Sequence, residues 1–533
     1  MRSMPKPAGT VAFVGAGPGD PGLLTLRAAE LLGHADVVVT NAPLSLETAR
    51  HLRDDATVVD LSMVEADRPL TKAERAKAVV DAAKAGKRVV RLVAGDPLFD
   101  GDGADEAAAC AKAKLPFEIV PGVPVAAAVP SYAGIAVTDA KHREVRVVDA
   151  SASASAPDWR SIATGTQTLV VTGVSAFGEV ADALMQHGRS ADLAVTATRA
   201  GTTTEQHTVV STLGALAADT KAAGLIGPAV VVVGDVVKSR AALSWFETKA
   251  LFGWRVLVPR TKEQAGVLSD KLRAYGAVPA EVPTIAVEPP RTPQQMDRAV
   301  RGLVTGRYEW IAFTSVNAVR AVREKFEEYG LDARAFSGIK VAAVGEQTAA
   351  SLLAFGVKPD LVPSGEQSAA GLLVDFPPYD DVLDPINRVF LPRADIATET
   401  LVAGLVELGW EVDDVTAYRT VRAAPPPAPT REAIKTGGFD AVVFTSSSTV
   451  RNLVGIAGKP HATTVIACIG PQTAKTAEEH GLRVDVLAEE PSVASLADAL
   501  AAFGLQQRLA AEAAGEWTGK PGRHKANSRR KAK

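Results

Sequence analysis

The chain has 533 residues, of which 47% are hydrophobic and only 5% aromatic, and its formal net charge at pH 7 is −3. This length predicts three or four domains, each large enough to bury its own core. With only Cys110 and Cys468, the chain lacks the cysteines for a disulfide framework or a metal cluster. Since no segment resembles a signal peptide or a membrane span, we expect a cytoplasmic protein without a membrane partner.

A short N-terminal extension, 1–9, precedes "VAFVGAGPGDPGLLTL" (11–26), which predicts a strand, a glycine-rich turn and a helix. The segment does not fit the dinucleotide fingerprint G-x-G-x-x-G, because Asp20 stands where the third glycine is required. Pro18 also removes a backbone N–H from a loop that would hold a pyrophosphate. From these residues alone, the segment is either a ligand-binding loop or an ordinary tight turn of an α/β domain.

Residues 10–247 alternate short Val-rich strands with Ala-rich helices, which is typical of an α/β domain. The apolar run "PAVVVVGDVV" (228–237) is interpreted as a buried parallel strand, because strands covered on both faces are continuously hydrophobic. A second block begins near residue 253, where "RVLVPR" (255–260) predicts the first strand of another α/β unit.

The second block contains an internal repeat. Its matching segments begin at Arg255, Glu309 and Val341 in one series and at Arg388, Asp440 and Ile466 in the other. Each series predicts three βα units followed by a strand and a helix, which is a doubly wound arrangement. The block is therefore predicted to form a pair of similar doubly wound parallel α/β domains with a cleft between them.

Hydroxyl and amide side chains follow the predicted strands of both copies, at the sheet edge where ligands bind in such folds. They are Thr314, Ser315, Asn317 and Thr348 in one copy and Thr445, Ser446, Ser447 and Thr473 in the other. Together with free backbone N–H groups, they suit a ligand that carries many carboxylates, although each alone also fits an ordinary helix N-cap. The block has no cysteine–histidine pair, metal-ligand spacing or phosphate loop, so its chemistry is expected to depend on holding a reactive substrate in one shape.

From residue 507 the chain becomes polar and basic, and segment 520–533 contains seven Lys or Arg residues and no acidic residue. A basic segment without aromatic residues or hydrophobic periodicity is typical of a solvated, disordered tail. We therefore predict a disordered tail over 507–533 and expect no nucleic-acid partner.

Residues 253–506 resemble the uroporphyrinogen-III synthases, on the ordered motifs "VLVPR", "FTSVNAV", "VGEQTA", "LPRADIATETL", "AYRT", "VFTSSSTV" and "IGPQTA". The resemblance implies a cofactor-free reaction on hydroxymethylbilane, a linear tetrapyrrole with eight carboxylates, which is closed into a ring with ring D inverted. Hydroxymethylbilane synthase would be the upstream donor of this substrate. One subdomain would comprise 253–284 and 424–506 and the other 290–418, joined by two antiparallel linkers.

The resemblance also implies roles for individual residues of this block. Tyr418 in "AYRT" matches the tyrosine that the family places near the departing hydroxyl, where a phenol can donate a hydrogen bond. The alternative for Tyr418 is an aromatic side chain that only packs at a hinge between the subdomains. Arg260 and Arg393, at the ends of two strands, would help to hold the substrate carboxylates.

Residues 10–247 resemble the uroporphyrinogen-III C-methyltransferases, on "VGAGPGDPGLLTLRAAELL", "GKRVVRLVAGDP", "PFEIVPGV", "AGTTTEQ" and "GPAVVVVGDVV". The implied fold has two α/β lobes, 10–123 and 124–247, with S-adenosylmethionine between them. The implied cofactor contacts are Pro18, Ala94, Gly95, Asp96, Phe99, Thr172 and Gly201. Of these, the 94–96 loop would hold the methionine end.

The methyltransferase motifs depart from the family at the positions that carry catalysis. Asn41 stands where the family has the Asp that accepts the proton. The family's "GGDPFIFGRGGEE" reads "AGDPLFDGDGADE" here, so Asp102 replaces an Arg. The family's "THR" reads "TDA", so Asp139 replaces a His. An amide cannot accept the proton, and the added acids repel an eight-carboxylate substrate. We expect this domain to bind S-adenosylmethionine weakly or not at all. The alternatives are a bifunctional enzyme that also makes precorrin-2 and a non-catalytic two-lobed anion-binding module.

Overall fold

A computed structural model describes residues 9–42, 44–62, 70–101, 103–151, 156–259 and 262–514. These residues form two compact units. The first contains the described chain up to Trp254, together with Leu272–Val278 and the residues from Ala501 onward, and the second contains Arg255–Lys271 and Pro279–Leu500. Within the described ranges, no helix has both the length and the apolar character that crossing a bilayer requires.

The N-terminal lobe of the first unit is a five-stranded parallel sheet in the order β3-β2-β4-β1-β5. Its strands are β1 (Thr10–Gly15), β2 (Val37–Thr40), β3 (Thr57–Asp60), β4 (Arg88–Val93) and β5 (Phe117–Val120). Its helices are α1 (Leu26–His34), α2 (Leu46–Ala49), α3 (Lys72–Lys84) and α4 (Gly103–Lys112), whereas the next helix, α5 (Val125–Tyr132), packs against β7 and β10 of the second lobe. The three central strands are almost fully buried because helices cover both faces of the sheet.

The second lobe is a mixed five-stranded sheet in the order β6-β7-β10-β8-β9. Its strands are β6 (Val145–Asp149), β7 (Thr168–Val174), β8 (Ala194–Arg199), β9 (His207–Thr212) and β10 (Ala229–Val233), and its helices are α6 (Trp159–Ala163), α7 (Phe177–Gln186), α8 (Leu216–Ala222) and α9 (Arg240–Leu243). The apolar run at 228–237 forms the buried strand β10, but β10 is antiparallel to both of its neighbours, so the predicted parallel direction is wrong. Continuous hydrophobicity reports burial on both faces and carries no information about strand direction.

The second unit contains two further five-stranded sheets. The strands are β11 (Arg255–Pro259), β12 (Val278–Val282), β13 (Ile285–Glu288), β14 (Trp310–Phe313), β15 (Lys340–Ala343), β16 (Arg388–Ala394), β17 (Glu411–Arg422), β18 (Ala441–Phe444), β19 (Val465–Cys468) and β20 (Val484–Leu487). The helices are α10 (Lys262–Ala274), α11 (Pro293–Val304), α12 (Val316–Glu328), α13 (Glu346–Ala354), α14 (Ala369–Asp375), α15 (Thr400–Glu407), α16 (Ala428–Thr436), α17 (Ser447–Ala457), α18 (Pro471–Glu479) and α19 (Val493–Ala513).

The two sheets of this unit share one strand order, as the sequence repeat predicts. One sheet has the order β12-β11-β18-β19-β20 and the other the order β13-β17-β16-β14-β15. The repeat pairs β11 with β16, β12 with β17, β18 with β14 and β19 with β15, so four strands run in the same order in both sheets. The first two strands of the block therefore pair with its last three, and the strands between them in the chain form the other sheet.

Strand β17 is unusually long, and it changes partner near its end. It pairs in parallel with β16 as far as Tyr418, and from Arg419 it pairs antiparallel with β13. A bulge interrupts the β16–β17 pairing: Arg393 pairs with Thr416, but the next residue, Ala394, pairs with Tyr418, so Ala417 is an extra residue in β17. Because of this bulge, the neighbours Ala417 and Tyr418 both pack into the same hydrophobic core instead of facing opposite sides of the sheet.

The last helix, α19, continues to Ala513. Residues 507–513 are therefore helical, although the sequence assigns them to the disordered tail. The segment "QRLAAEA" consists of strong helix formers, and Arg508 donates to the carbonyl of Thr248 at 2.5 Å within the first unit. The basic segment 520–533 lies outside the described residues.

Candidate functional site

Tyr418 lies at the edge of its sheet beside the start of α12. Its side chain is only 7% exposed, and its phenol oxygen lies 2.9 Å from Oγ of Ser315. Ser315 follows β14 and is the N-cap of α12, where its Oγ accepts the backbone N–H of Ala318 at 3.2 Å. The structure therefore brings together two predicted site residues, from "AYRT" and "FTSVNAV", that are far apart in the chain.

The predicted hydroxyl and amide residues divide into two groups in the structure. Among the described residues, the side chains of one group have no hydrogen-bond partner; these are Thr314, Asn317, Thr348, Thr445 and Thr473. In contrast, Ser447 donates to the carbonyl of Gln472 at 3.1 Å and accepts from Thr476 at 2.8 Å. Ser446 forms a capping box with Thr449. In the first group, Thr348 and Thr473 are buried, at 6% and 5% exposure, and the other three side chains are accessible to a ligand. Ser446 and Ser447 are held by their own domain.

Two helices of the unit begin at glycines and have no side-chain cap. Gly345 precedes α13 and Gly470 precedes α18, and both have extended backbone. The first N–H groups of a helix have no intrahelical partner, and a glycine supplies no side chain to accept them. The side chain of Gln367 accepts the first N–H of α13, that of Glu346, at 3.2 Å, and α18 begins at Pro471, which has no N–H. Thr348 and Thr473 lie in these first turns, so each copy places a hydroxyl and the remaining backbone N–H groups at its sheet edge.

Arg393 is engaged within its own subdomain. Its guanidinium binds Asp414 in two contacts of 2.5 Å and Glu399 at 2.9 Å, and it donates to the carbonyl of Thr398 at 2.7 Å. The hydrogen bonds from Arg393 to Asp414 raise the pKa of the guanidinium, so it stays charged and paired. In this structure Arg393 anchors the loop after β16, and its predicted contact with a substrate carboxylate stays a prediction. Arg260 lies outside the described residues.

A pocket of about 300 Å³ lies beside Tyr418 and is also lined by Asn317. Its charged side chains come mainly from α12 and include Arg320 and Lys325. Lys325 bonds to Asp297 at 3.0 Å and to Glu328 at 2.8 Å, and these carboxylates raise the pKa of its ammonium group. The pocket therefore presents charged side chains of both signs beside the neutral groups of Asn317 and Tyr418.

In the first unit, three loops meet at the carboxyl ends of β1, β4 and β5. Gly17 and Gly95 exchange two backbone hydrogen bonds, of 3.2 and 2.8 Å. A Cβ atom on Gly15 would lie 2.4 Å from the backbone of Gly122, so only glycine allows this approach. The loops that carry Pro18 and the 94–96 segment are thus held side by side.

A pocket of about 180 Å³ is lined by two predicted cofactor residues, Pro18 and Gly201, and by Gly173, the neighbour of Thr172. Beside it, two hydrogen bonds join the two lobes. The carboxylate of Asp20 accepts the phenol O–H of Tyr132 at 2.7 Å, and the backbone N–H of Asp20 donates to the hydroxyl of Thr202 at 3.1 Å. Hydrogen bonding and burial fix the two sides of this pocket relative to each other.

Most hydrogen-bonding groups of the 94–96 loop are already engaged within the protein. The carboxylate of Asp96 accepts the N–H groups of Leu98, Phe99 and Gly122 at 2.8 to 3.1 Å. The N–H of Asp96 donates to Asp100 at 2.9 Å. The Asp100 carboxylate also accepts the N–H of Val125 at 3.1 Å, and burial raises its pKa. Ala94 and Phe99 are exposed at the rim of this loop.

The three departures from the methyltransferase motifs have different outcomes. The Oδ1 atom of Asn41 accepts from Arg91 at 3.0 Å, and Arg91 is buried in an ion pair with Glu106. Asp139 binds His142, whose hydrogen bonds lower the pKa of the carboxyl to about 2. Asp102 lies outside the described residues. Among the residues that are described, no cluster of three or more His, Cys, Asp or Glu could hold a metal ion.

Comparisons with known proteins agree with both halves of this arrangement. A family model described as uroporphyrinogen-III synthase HemD matches residues 266–498, and one described as tetrapyrrole (corrin/porphyrin) methylases matches residues 10–217. The porphyrin biosynthesis protein HemD of Ruminiclostridium josui is 31% identical over 508 residues, which cover 93% of this chain and 98% of that protein. The chain belongs to the HemD family. It is an enzyme in which a methylase domain precedes a uroporphyrinogen-III synthase domain, and both predicted resemblances are confirmed.

Other relatives match one half of the chain. Siroheme synthase 2 of Aeromonas hydrophila is 38% identical over 242 residues, which cover 45% of this chain and 51% of that protein. A Thermus thermophilus uroporphyrin-III C-methyltransferase complexed with S-adenyl homocysteine is 28% identical, with a TM-score of 0.38, and covers 43% of this chain and 99% of its own. A mutant uroporphyrinogen III synthase from Thermus thermophilus is 22% identical, with a TM-score of 0.33, and covers 48% of this chain and 99% of its own.

The methylase domain fits its implied cofactor only in part. The pocket beside Pro18 and Gly201 is open, but the 94–96 loop, which would hold the methionine end, donates its Asp96 N–H to Asp100. Sequence reasoning missed Asp100, although the quoted motifs contain the signal. The family's "GGDPFIF" reads "AGDPLFD" here, so an acid stands in place of an aromatic residue.

Proposed function

We propose that the synthase domain closes hydroxymethylbilane into uroporphyrinogen III with ring D inverted. The observation that carries this proposal is the phenol of Tyr418, held 2.9 Å from Ser315 at the sheet edge where unpartnered hydroxyls follow the strands. Neutral donors on both copies suit a substrate with eight carboxylates, because they bind each carboxylate without adding a competing charge.

In the reaction, the carbon–oxygen bond of the hydroxymethyl group breaks and both of its electrons leave with the oxygen. Tyr418 donates its phenol proton to that oxygen, which departs as water. The pyrrole ring that carried the hydroxymethyl group then loses its N–H proton, which returns to Tyr418 and restores the phenol, and a neutral azafulvene remains. The substituted carbon of ring D attacks the azafulvene methylene carbon, and the azafulvene nitrogen takes up the proton that the nitrogen of ring D loses, which gives a spiro intermediate. The bond from the spiro carbon to the bridge carbon of ring C then breaks, with its electrons staying on ring D. The bridge carbon forms a new bond to the free α carbon of ring D, which loses its proton, so ring D is inverted. The protein contributes shape and hydrogen bonds to these steps.

The full-length chain is expected to convert hydroxymethylbilane to the type III isomer in the presence of a chelator and without S-adenosylmethionine. Unaided closure of the substrate gives the unflipped type I isomer, so the isomer ratio, resolved by chromatography, measures the enzyme directly. A product that is entirely type I from folded protein would contradict the proposal. Hydroxymethylbilane synthase, the predicted donor of the substrate, can supply it in the same assay.

We further propose that the methylase domain binds S-adenosylmethionine weakly. The Asp100 carboxylate occupies two backbone donors at the sheet edge, from Asp96 and Val125. A second carboxylate, that of the methionine end, would meet a like charge there and fewer free donors. The cofactor, when bound, would supply a methyl group, and the residues described here would only bind and orient it.

Replacing Asp100 with Ala is expected to tighten S-adenosylmethionine binding by about tenfold or more, since removing one close like charge is worth about 1.4 kcal/mol or more. Calorimetric titration of the full chain measures the change. The matched control is Asp105→Ala, which removes a nearby carboxylate that is 62% exposed and paired with Lys72. Equal affinities for wild type, D100A and D105A would refute the role assigned to Asp100.

A further inference from the structure

Ser315 has two partners at a single hydroxyl oxygen. It accepts the N–H of Ala318 at 3.2 Å, and its Oγ lies 2.9 Å from the phenol oxygen of Tyr418. A serine hydroxyl has one proton and two lone pairs, and the N–H of Ala318 uses one lone pair. Among the described residues, the phenol oxygen is the one remaining polar partner, so Ser315 either donates its proton to that oxygen or accepts the phenol proton on its second lone pair.

The direction of this hydrogen bond decides what Tyr418 can offer to a ligand. If Tyr418 donates to Ser315, its single proton is used inside the protein and only lone pairs face the ligand. If Ser315 donates, the phenol proton is free to point away from the protein. Within the described chain the phenol has no partner besides Ser315, so a bound substrate would be the acceptor of that proton.

The internal repeat supplies a comparison for this geometry. Ser446 occupies the equivalent position before α17, with φ −169° and ψ 160°, against −165° and 160° for Ser315. It too accepts the N–H of the third residue on, Thr449, at 3.3 Å. Its hydroxyl partner, however, is Ser448 at 2.9 Å rather than a tyrosine. Ser315 and Ser446 each cap the helix that follows, but only Ser315 also contacts the phenol of a tyrosine.

We propose that Ser315 is a positioning residue for the synthase reaction. Its hydroxyl donates to the phenol oxygen of Tyr418 and turns the phenol proton towards the hydroxymethyl oxygen of the substrate. The proposal rests on the synthase function proposed above and adds a residue that acts through Tyr418 without touching the reacting atoms.

The test uses the full-length chain and measures kcat, KM and the isomer ratio. Ser315→Ala is expected to lower kcat about tenfold, which corresponds to about 1.4 kcal/mol of barrier, with little change in KM. Ser315→Thr keeps both the hydroxyl and the cap and is expected to restore most of kcat. Ser368→Ala is the matched control, because Ser368 caps α14 in the same subdomain, accepting the N–H of Gly371 at 3.1 Å, and has no tyrosine partner.

A double-mutant cycle separates positioning from a merely structural role. If Ser315 acts through Tyr418, Ser315→Ala has no further effect on kcat once Tyr418 is Phe. Losses that multiply in the double mutant, or a Ser368→Ala loss equal to that of Ser315→Ala, would overturn the proposal. Wild-type protein that gives only the type I isomer would instead overturn the synthase function itself, so the two failures are distinguishable.

Discussion

Tyr418→Phe is expected to lower the kcat of the synthase about 100-fold, because removing one well-placed donor to a developing charge typically has an effect of this size. The ring remains, so packing in the core around Tyr418 is preserved. As the enzyme slows, spontaneous closure competes, and the type I isomer should rise in the product. Stopped assays with separation of the two isomers measure both effects.

The matched control is Tyr308→Phe. Tyr308 belongs to the same core and donates its phenol O–H to Asp413 at 2.5 Å. Its loss removes a partly buried hydrogen bond of a phenol and is expected to lower stability while leaving kcat within about threefold of wild type. Thr314→Ala should also have a smaller effect than Tyr418→Phe, because the hydroxyl contacts are many. Equal losses for all three variants would show that Tyr418 only packs.

The full chain is expected to transfer no measurable methyl group from S-adenosylmethionine to uroporphyrinogen III, and Asn41→Asp alone should not restore transfer. General acid–base catalysis is worth about 10²- to 10⁴-fold, and an amide supplies none of it. The new carboxylate would lie about 3.0 Å from the guanidinium of Arg91, which would hold it in its charged, weakly basic form. The carboxyl of Asp139, with its pKa lowered to about 2, would still oppose an eight-carboxylate substrate.

Radiolabel transfer at saturating cofactor measures this directly, for the wild type and for N41D. The Thermus thermophilus uroporphyrin-III C-methyltransferase serves as the positive control under the same conditions. Robust turnover by the unmodified chain would make the protein bifunctional. Recovery by N41D alone would show that the proton acceptor was the one missing element.

Much of the architecture could be predicted because it depends on patterns within short segments. The repeat in the second block predicted two sheets of one strand order, and the alternation of Val-rich and Ala-rich segments predicted the α/β class. The direction of β10 could not be predicted, because hydrophobicity is the same for parallel and antiparallel strands buried on both faces. The helical start of the supposed tail was missed because 507–513 lacks an apolar stripe of its own.

The candidate site residues were predicted from motifs, and only the contacts in the structure show which of them are engaged within the protein. Ser446 and Thr445 are neighbours of similar chemistry, and only the structure shows that the first is a closed cap and the second has no partner among the described residues. Arg393 resembles an anion anchor in sequence, but its partner Asp414 lies on the neighbouring strand, a pairing that residue spacing does not reveal. Asp100 accepts one backbone N–H from its own loop, at Asp96, and one from the start of α5, at Val125, and residue spacing does not reveal the second contact.

The change of partner along β17 links the position of the Tyr418 phenol to the geometry of the connection between the two sheets. Tyr418 is the last residue paired with β16, and the next residue already belongs to the ribbon with β13 that joins the two sheets of this unit. Any change in the angle of this ribbon therefore also moves the phenol of Tyr418, so a substitution in the ribbon is also a substitution in the geometry of the candidate site.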